Sequence, residues 1–467
     1  MPMPRLQTNR LIRHLIRFWL ALALCQAVFT APASGGGGFD TDDELLLEAD
    51  IVLPEPADDD EKKNTALDRF LEGSTFTLGY SLSLGTDAPQ KVIDNRAFLR
   101  MEQGSLLGDT LFFKLDAKTA FLLKNDHQAE ARNRDFHADG SIRELYLQPG
   151  FETFTLTFGK QISVWGKADT VAVTDVLSPR DFSQFVFVEL EDARFGQWMA
   201  AANIYDDLFN TFVFFTPYPG RDREPDNGSR YHRPLPDEDR FAVHQDRIEF
   251  GDLEYGFKLD KSVSKTDTSL MAGRFRTNAA LFNHTGAFEG TKPVLEKTWP
   301  GYYMAGAAVT HARQAFLFKL ELAYKNGLPL QGLTPQGIYM FDKKEVIDSA
   351  AGIEYNANSQ YQVSLELSNR YIASGTADLL PGTDENSSAL YTTFFKDFFN
   401  QTLEFEYIFF HHIQEKNQFH KFRLTYDLTD TIQLKAEYGV FNIKDTASLM
   451  YPYKDEDRIG FEIRYFF

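Results

Sequence analysis

Ile432-Gln433-Leu434-Lys435-Ala436-Glu437-Tyr438-Gly439-Val440 alternates apolar and polar side chains along most of its length. Successive side chains of a strand point to opposite faces, so one face of this segment is greasy and the other charged. The same period of two recurs along the chain. Leu403, Phe405, Tyr407 and Phe409 stand against Glu404 and Glu406, and Phe316, Phe318, Leu320 and Leu322 against Lys319 and Glu321. Phe76, Leu78, Tyr80, Leu82 and Leu84 share one face, as do Ile459, Phe461, Ile463, Tyr465 and Phe467. A soluble sheet could bury one such face. So many consecutive amphipathic strands, with aromatics on the apolar side, predict an all-β chain folded as a transmembrane antiparallel β-barrel.

Composition agrees. Aromatic residues make up 14% of the 467 residues, with 43 Phe, yet the mean hydropathy is slightly negative. A helical membrane protein would need runs of about 20 apolar residues. The one candidate is at the N-terminus, where Arg5, Arg10, Arg13 and Arg17 precede an apolar core from Phe18 to Phe29 and a small-residue site at Ala31-Pro32-Ala33. This predicts a cleaved signal peptide over 1–33. Cys25, the single cysteine, lies inside that core, so the mature chain is expected to hold no disulfide and no Cys-based zinc site. Much of the net charge of −19 sits between Asp40 and Glu61. Segment 34–73 is therefore read as a solvated acidic arm, with a periplasmic partner as its functional version. No basic stripe suits nucleic acid.

About 18 strands are expected, with 16 as the alternative, in a barrel over 74–467. The candidates are 74–84, 94–104, 109–123, 141–149, 151–163, 197–206, 209–217, 252–260, 267–283, 301–310, 313–325, 350–357, 361–372, 388–397, 401–411, 418–427, 431–442 and 457–467. Short links alternate with long ones, notably 163–196, 218–251, 284–300 and 326–349. That asymmetry is the arrangement of an outer-membrane barrel. Its inward positions should be polar: Lys319 and Glu321, Glu366 and Arg370, Glu404 and Glu406, Lys421 and Arg423, Lys435 and Glu437, and Glu462 and Arg464. Interleaved charges can stiffen a wet wall by pairing, or set up a field that orients solutes.

The most distinctive stretch is Gly159-Lys160-Gln161-Ile162-Ser163-Val164-Trp165-Gly166-Lys167-Ala168-Asp169, continuing through Asp175, Ser178-Pro179-Arg180-Asp181, Asp192 and Arg194. A loop of this length is usually functional or disordered, and its aromatic residues and opposite charges favour function. It is expected to fold into the mouth or lumen, with Arg180, Arg194 and Lys167 set against Asp169, Asp175, Asp181 and Asp192. Those pairs would hold the loop, touch solute, or do both.

This arrangement resembles Gram-negative outer-membrane porin-like barrels, often found beside RND-type exporters, that carry Gly-Arg-Gln…Trp-Gly followed by Asn-Pro-x-Asp. It is distantly similar to the alginate-export barrels. Lys160 stands for the usual Arg, and Ser178 for the usual Asn. The final strand, ending at Phe467, resembles the C-terminal signature read by the barrel-assembly machinery. The resemblance implies a channel or export-related porin without a defined cargo, in contact with outer-membrane lipids and lipopolysaccharide. It tilts the cargo towards an organic anion, a lipid-like molecule or a polysaccharide.

Other chemistry is weakly signalled. His411 and His412 point to opposite faces of a strand, and with His420 they lack a completed ligand set. No Gly-rich phosphate loop precedes a helix, so no cofactor is expected. Two competing readings remain. One is a surface enzyme such as a lipid hydrolase, which needs a nucleophile and a histidine in contact at the barrel rim. The other is a plugged adhesive or structural barrel that binds a partner through the charged 218–251 loop.

Overall fold

The computed structural model describes residues 73–86, 91–168, 173–188, 192–233, 235–245, 252–357, 361–446, 448 and 450–467. The predicted signal peptide and nearly all of the acidic arm lie outside the described residues. The strands are β1 Ser74–Gly85, β2 Val92–Leu107, β3 Leu111–Leu122, β4 His137–Pro149, β5 Phe154–Gln161, β6 Gln197–Tyr205, β7 Asn210–Tyr218, β8 Ala242–Gln245, β9 Glu254–Val263, β10 Thr266–Arg276, β11 Leu281–Glu289, β12 Lys292–Thr298, β13 Gly301–Arg313, β14 Phe316–Leu333, β15 Tyr339–Ala357, β16 Tyr361–Ile372, β17 Asn386–Phe398, β18 Leu403–His412, β19 Asn417–Thr429, β20 Ile432–Asn442 and β21 Arg458–Phe466.

All but β8, β11 and β12 form one 18-stranded antiparallel sheet. It closes because β1 pairs on one side with β2 and on the other with β21, from Thr77 opposite Phe466 to Gly85 opposite Arg458. Closure leaves no edge, so every wall amide has a ladder partner available without water. No helix among the described residues is long and apolar enough to cross a membrane.

Burial is inverted relative to a soluble protein. On β14, Leu320 and Leu322 are 58% and 51% exposed, while their neighbours Lys319 and Glu321 are 7% and 2% exposed. The pattern recurs around the wall. Trp198, Phe215, Phe257, Tyr303, Leu365, Leu424, Phe461 and Ile463 are exposed, while Glu366, Lys421 and Arg464 are buried. An apolar belt of this extent is stable against lipid hydrocarbon and would aggregate in water.

The two ends differ. Links between β2 and β3, β4 and β5, β6 and β7, β9 and β10, β13 and β14, β15 and β16, β17 and β18, and β19 and β20 span at most a few residues. Several hold residues at positive φ, among them Gly108, Ser264, Gln314 and the run Phe399 to Gln401. Such turns reverse a twisted pair tightly. The start of β1 and the end of β21 share this end. The opposite end carries the long connections.

Two expectations about loops need correction. Residues 326–349 are not a loop: β14 and β15 continue as a paired hairpin past a register shift between Lys325 and Leu328, and turn only at 334–338. Apolar Leu328, Leu330 and Leu333 support the extension and pack within clusters that include Tyr339 and Leu379. The 284–300 and 218–251 links are also partly ordered. Their β11, β12 and β8 form a separate three-stranded sheet, in which β12 and β8 run parallel. Short strands inside charged loops carry too little periodicity to stand out from sequence.

The outward face should tolerate no charge near mid-membrane. Leu322→Arg is expected to cost about 2–4 kcal/mol in lipid vesicles, read from reversible denaturant unfolding. A conservative Leu322→Phe should cost far less.

Candidate functional site

Beyond β5 the chain leaves the wall at Ile162 and returns at Gln197, crossing the lumen between them. The departure is sterically fixed. Gly159 has φ +136°, and a Cβ there would sit 2.3 Å from the Leu145 carbonyl oxygen. Lys160 donates to the Ile142 carbonyl at 2.6 Å, and buried Gln161 reaches the Met199 carbonyl at 3.4 Å. The Gly-Lys-Gln signature thus builds the exit from the wall. Its side chains bind protein backbone.

Trp165 anchors the first half of the loop. It is buried edge-on against Phe214 at 5.3 Å, Phe275 at 5.6 Å and Phe212 at 6.2 Å between ring centroids. Val173 and Leu177 of the loop join it, and Met199, Met271, Tyr302, Met304 and Val346 complete the cluster from the wall. The expectation of a uniformly polar lumen is therefore corrected. Beside β6, β7, β10 and β13 the inward face is largely apolar where the loop is packed onto it, while β14 and β15 set Ala323, Val346 and Ala350 among the buried charges of Glu321, Lys325 and Asp348.

Glu321 holds the same half from the wall. Its carboxylate accepts the backbone N–H groups of Lys167 at 2.9 Å, Ala168 at 2.8 Å and Thr174 at 2.7 Å, together with the Thr174 hydroxyl. One carboxylate satisfies three loop amides that would otherwise be orphaned. Lys167 meets the wall through its backbone. Asp169 lies outside the described residues.

Asp175 gathers the two expected arginines. Its Oδ2 lies 2.8 Å from Arg180 and 2.9 Å from Arg194, and its Oδ1 accepts the Trp165 N–H at 3.3 Å. Burial pushes the Asp175 carboxyl up, but Arg194 and Arg180 outweigh it and hold it below the ordinary carboxylate value. The other two acids do not join this cluster. Asp192 pairs with Lys118 of β3 and lies 3.8 Å from Arg143 of β4. Asp181 accepts the Ser183 N–H at 2.8 Å and lies 3.6 Å from Arg223. The reason is reach: the loop turns across the lumen between these positions.

Phe187 marks the far anchor. It meets Phe419 and Phe441 edge-on, and the Arg458 guanidinium sits 3.9 Å from its ring centroid. At Gly439 of β20 a Cβ would come within 2.4 Å of the Phe187 ring, so no larger residue fits beneath it. Phe185 stacks on Tyr453 at 4.0 Å, and Tyr231 completes the cluster from another long connection. The loop therefore reaches from the β7–β10 wall to the β19–β21 wall. Sequence reasoning missed Phe187 and Tyr231. A lone Gly inside the 431–442 strand was the available signal of a close approach.

The described part of the 218–251 segment is tied inward as well. Asp222 is half-buried and accepts the Arg180 N–H at 2.8 Å, and Arg233 reaches Glu456 at 3.0 Å. Desolvation raises both Asp222 and Asp181 to about 6.

Among the described residues the lumen holds a charge-lined cavity of about 130 Å³, bordered by Asp94, Arg96, Lys118, Arg143, Asp181, Asp192, Arg423, Lys435, Glu437, Arg458 and Glu462, with Phe98, Phe187 and Phe195. Of the expected wall residues, Arg423 bridges Glu406 at 3.1 Å and Glu437 at 3.2 Å, and Lys421 lies 3.9 Å from Glu437. Lys319 contacts Glu354 at 3.3 Å, and Arg370 holds Asp348 through two 2.7 Å bonds. Glu366 is buried on the inner face, and Lys435 lines the cavity. Glu404 lies on the same inner face, opposite Thr425.

One serine–histidine contact occurs at the rim. Ser387 Oγ lies 2.9 Å from His412 Nε2. His412 Nδ1 accepts the Glu415 backbone N–H at 3.2 Å, which places the ring proton on Nε2. The imidazole then donates to the serine and does not withdraw its proton. The Glu415 carboxylate is engaged by Asn417 at 2.6 Å and by Ser448. His411 contacts the Asn417 carbonyl at 3.1 Å and His420 the Tyr407 hydroxyl at 2.9 Å, so the three histidines do not converge.

Two outcomes follow from the loop's anchors. Glu321→Ala strands buried amides, each costing about 1–3 kcal/mol, and should make segment 166–175 sensitive to added protease in the folded barrel. Asp222→Asn keeps the acceptor for Arg180 while removing a partly desolvated charge. Because the folded pKa is raised, the wild-type contribution is fully present below about pH 4 and is lost as pH rises through about 6. The variant should therefore raise the melting temperature at pH 8, by at most about 3 kcal/mol of stability, and give no gain at pH 4.

No known protein family and no curated protein sequence matches the chain. Solved structures do. OccAB3 of Acinetobacter baumannii is 12% identical, with 84% of this chain and 98% of that chain covered, at a TM-score of 0.48. OpdL of Pseudomonas aeruginosa is 11% identical, with 85% and 98% covered, at 0.48. OmpF of Salmonella typhi, in complex with daunomycin, is 9% identical, with 84% and 97% covered, at 0.43. At this distance the likeness is one of barrel architecture.

Proposed function

We propose that the chain is a passive channel of the Gram-negative outer membrane, porin-like or export-related, whose lumen is narrowed by the 162–196 loop. The observation that carries the reading is the division of the lumen. An apolar side is filled by the Trp165 cluster, and a charge-lined cavity remains beside β19–β21 and β1–β4. A barrel whose role was adhesion or scaffolding would gain nothing from a charged interior, since buried ion pairs contribute little net stability. A wall of paired charges is suited to water and polar solutes.

The tight-turn end is assigned to the periplasm and the long-connection end to the exterior. The acidic arm then belongs to the periplasmic side, free to meet a partner there. Lipid, lipopolysaccharide and the barrel-assembly machinery remain the expected contacts of the outer face and the final strand. A surface hydrolase is the weaker reading, because the Ser387–His412 contact has its proton on the wrong nitrogen and its acid is occupied.

Vesicle swelling tests the proposal. Intact protein should admit small polar solutes slowly, and a variant lacking 166–192 should admit them several-fold faster. If neither folded form admits any solute, the channel reading fails.

A further inference from the structure

We infer that Arg274 is the headgroup contact of a lipid site on the outer wall, and that its occupant is the lipid A part of lipopolysaccharide, with a phosphate on the guanidinium and an acyl chain in the furrow beneath. This rests on the orientation assigned above and is independent of whether the lumen conducts. Arg274 is the third residue from the exterior end of β10. It stands directly opposite Tyr255 of β9 and Tyr303 of β13. Residues paired across strands share a face, and these tyrosines are 45% and 58% exposed. The guanidinium is therefore on the lipid side, within a rim of aromatic residues at the level of the headgroups.

A charge on the outer face is costly, and the cost grows with depth. Inside the barrel Arg96, Arg100, Arg143 and Arg458 each have a carboxylate within 3.0 Å. Arg276, two positions above Arg274 on the same face, is paired with Asp252. Arg274 has no carboxylate partner among the described residues. Its Nη1 donates to the Leu253 carbonyl at 3.3 Å, which leaves most of a five-donor fork unspent there. Glu254, next in the chain to Tyr255, faces the lumen and is engaged by Gln197 and the Arg276 N–H. Below Arg274 the outer face narrows to small side chains: Ala272 is opposite Ala305, and Leu270 opposite Ala307. Exposed Phe257 of β9 borders Ala272, and exposed Tyr324 and Leu322 of β14 border Ala305 and Ala307. Two ridges thus flank a furrow that runs down β13 from the arginine. Alanines alone would receive any hydrocarbon. A planar guanidinium at the upper end matches a phosphate and selects a chain whose headgroup carries one. Lipid A brings both groups to the outer leaflet in one molecule.

Native mass spectrometry of the detergent-solubilised protein, titrated with bis-phosphorylated lipid A, tests this. The wild type should retain the lipid. Arg274→Gln should weaken retention several-fold, with Arg274→Lys between the two. Ala305→Trp fills the furrow and leaves the arginine in place, and should weaken retention as well. Dephosphorylated lipid A and phosphatidylglycerol should bind several-fold more weakly than lipid A, and inorganic phosphate should not displace it. Circular dichroism and heat-modifiable migration report that each variant is folded, and the two positions guard against a folding defect at either one. Equal retention by the folded wild type and Arg274→Gln overturns the site. Displacement by inorganic phosphate shows a simple anion contact and overturns the lipid reading. Phosphatidylglycerol binding as tightly as lipid A overturns lipid A as the occupant. Each of these outcomes leaves the channel reading standing, because that reading is decided by solute entry.

Discussion

A strand in hydrocarbon has no water to satisfy its amides, and every other feature of this molecule answers to that constraint. The pairing of β1 with β21 removes the last open edge. Once the sheet is closed, alternation has only one workable sense: apolar side chains meet lipid, and polar ones are enclosed. Leu320 and Glu321 are adjacent in the chain yet inhabit opposite media. A soluble sandwich with the same period would bury the leucine and expose the glutamate.

Closure at 18 strands creates a second demand. A barrel of this girth encloses more space than wall side chains can fill. The chain answers chiefly with the long segment that enters after β5, joined by Asp222 and Tyr231 of the connection after β7. Its attachments use three kinds of chemistry at three places: aromatic packing at Trp165, amide-to-carboxylate bonds at Glu321, and a ring seated on glycine at Phe187 and Gly439. The ionic contacts around Asp175 stiffen the segment between these anchors. The Trp165 and Glu321 anchors stand apart from the charge-lined cavity, whereas Phe187 lines it beneath the Arg458 guanidinium.

Much of this was legible in the residues. Period-two alternation predicted all 18 wall strands, because each has one lipid face and one lumenal face and so displays its period openly. The loop announced itself by length and by Trp165, Arg180 and Arg194. What sequence could not show was pairing across space. Asp192 was expected among the loop's own arginines and instead meets Lys118, some 74 positions earlier in the chain. Glu321 was placed correctly on the inner wall, but its role as amide acceptor depends on a segment more than 140 residues away. The extended β14–β15 hairpin was read as a loop because Asn326, Gly327 and Pro329 interrupt the alternation just where the strands pass a register shift.

Single-channel conductance of the intact protein in a planar bilayer tests the central claim most directly. A loop that fills part of the lumen and leaves a charged passage predicts small, discrete, ohmic current steps, well below those of an unobstructed barrel of this strand number. Full-size conductance would contradict the lumenal position of the loop, and complete silence from a folded barrel would contradict the passage.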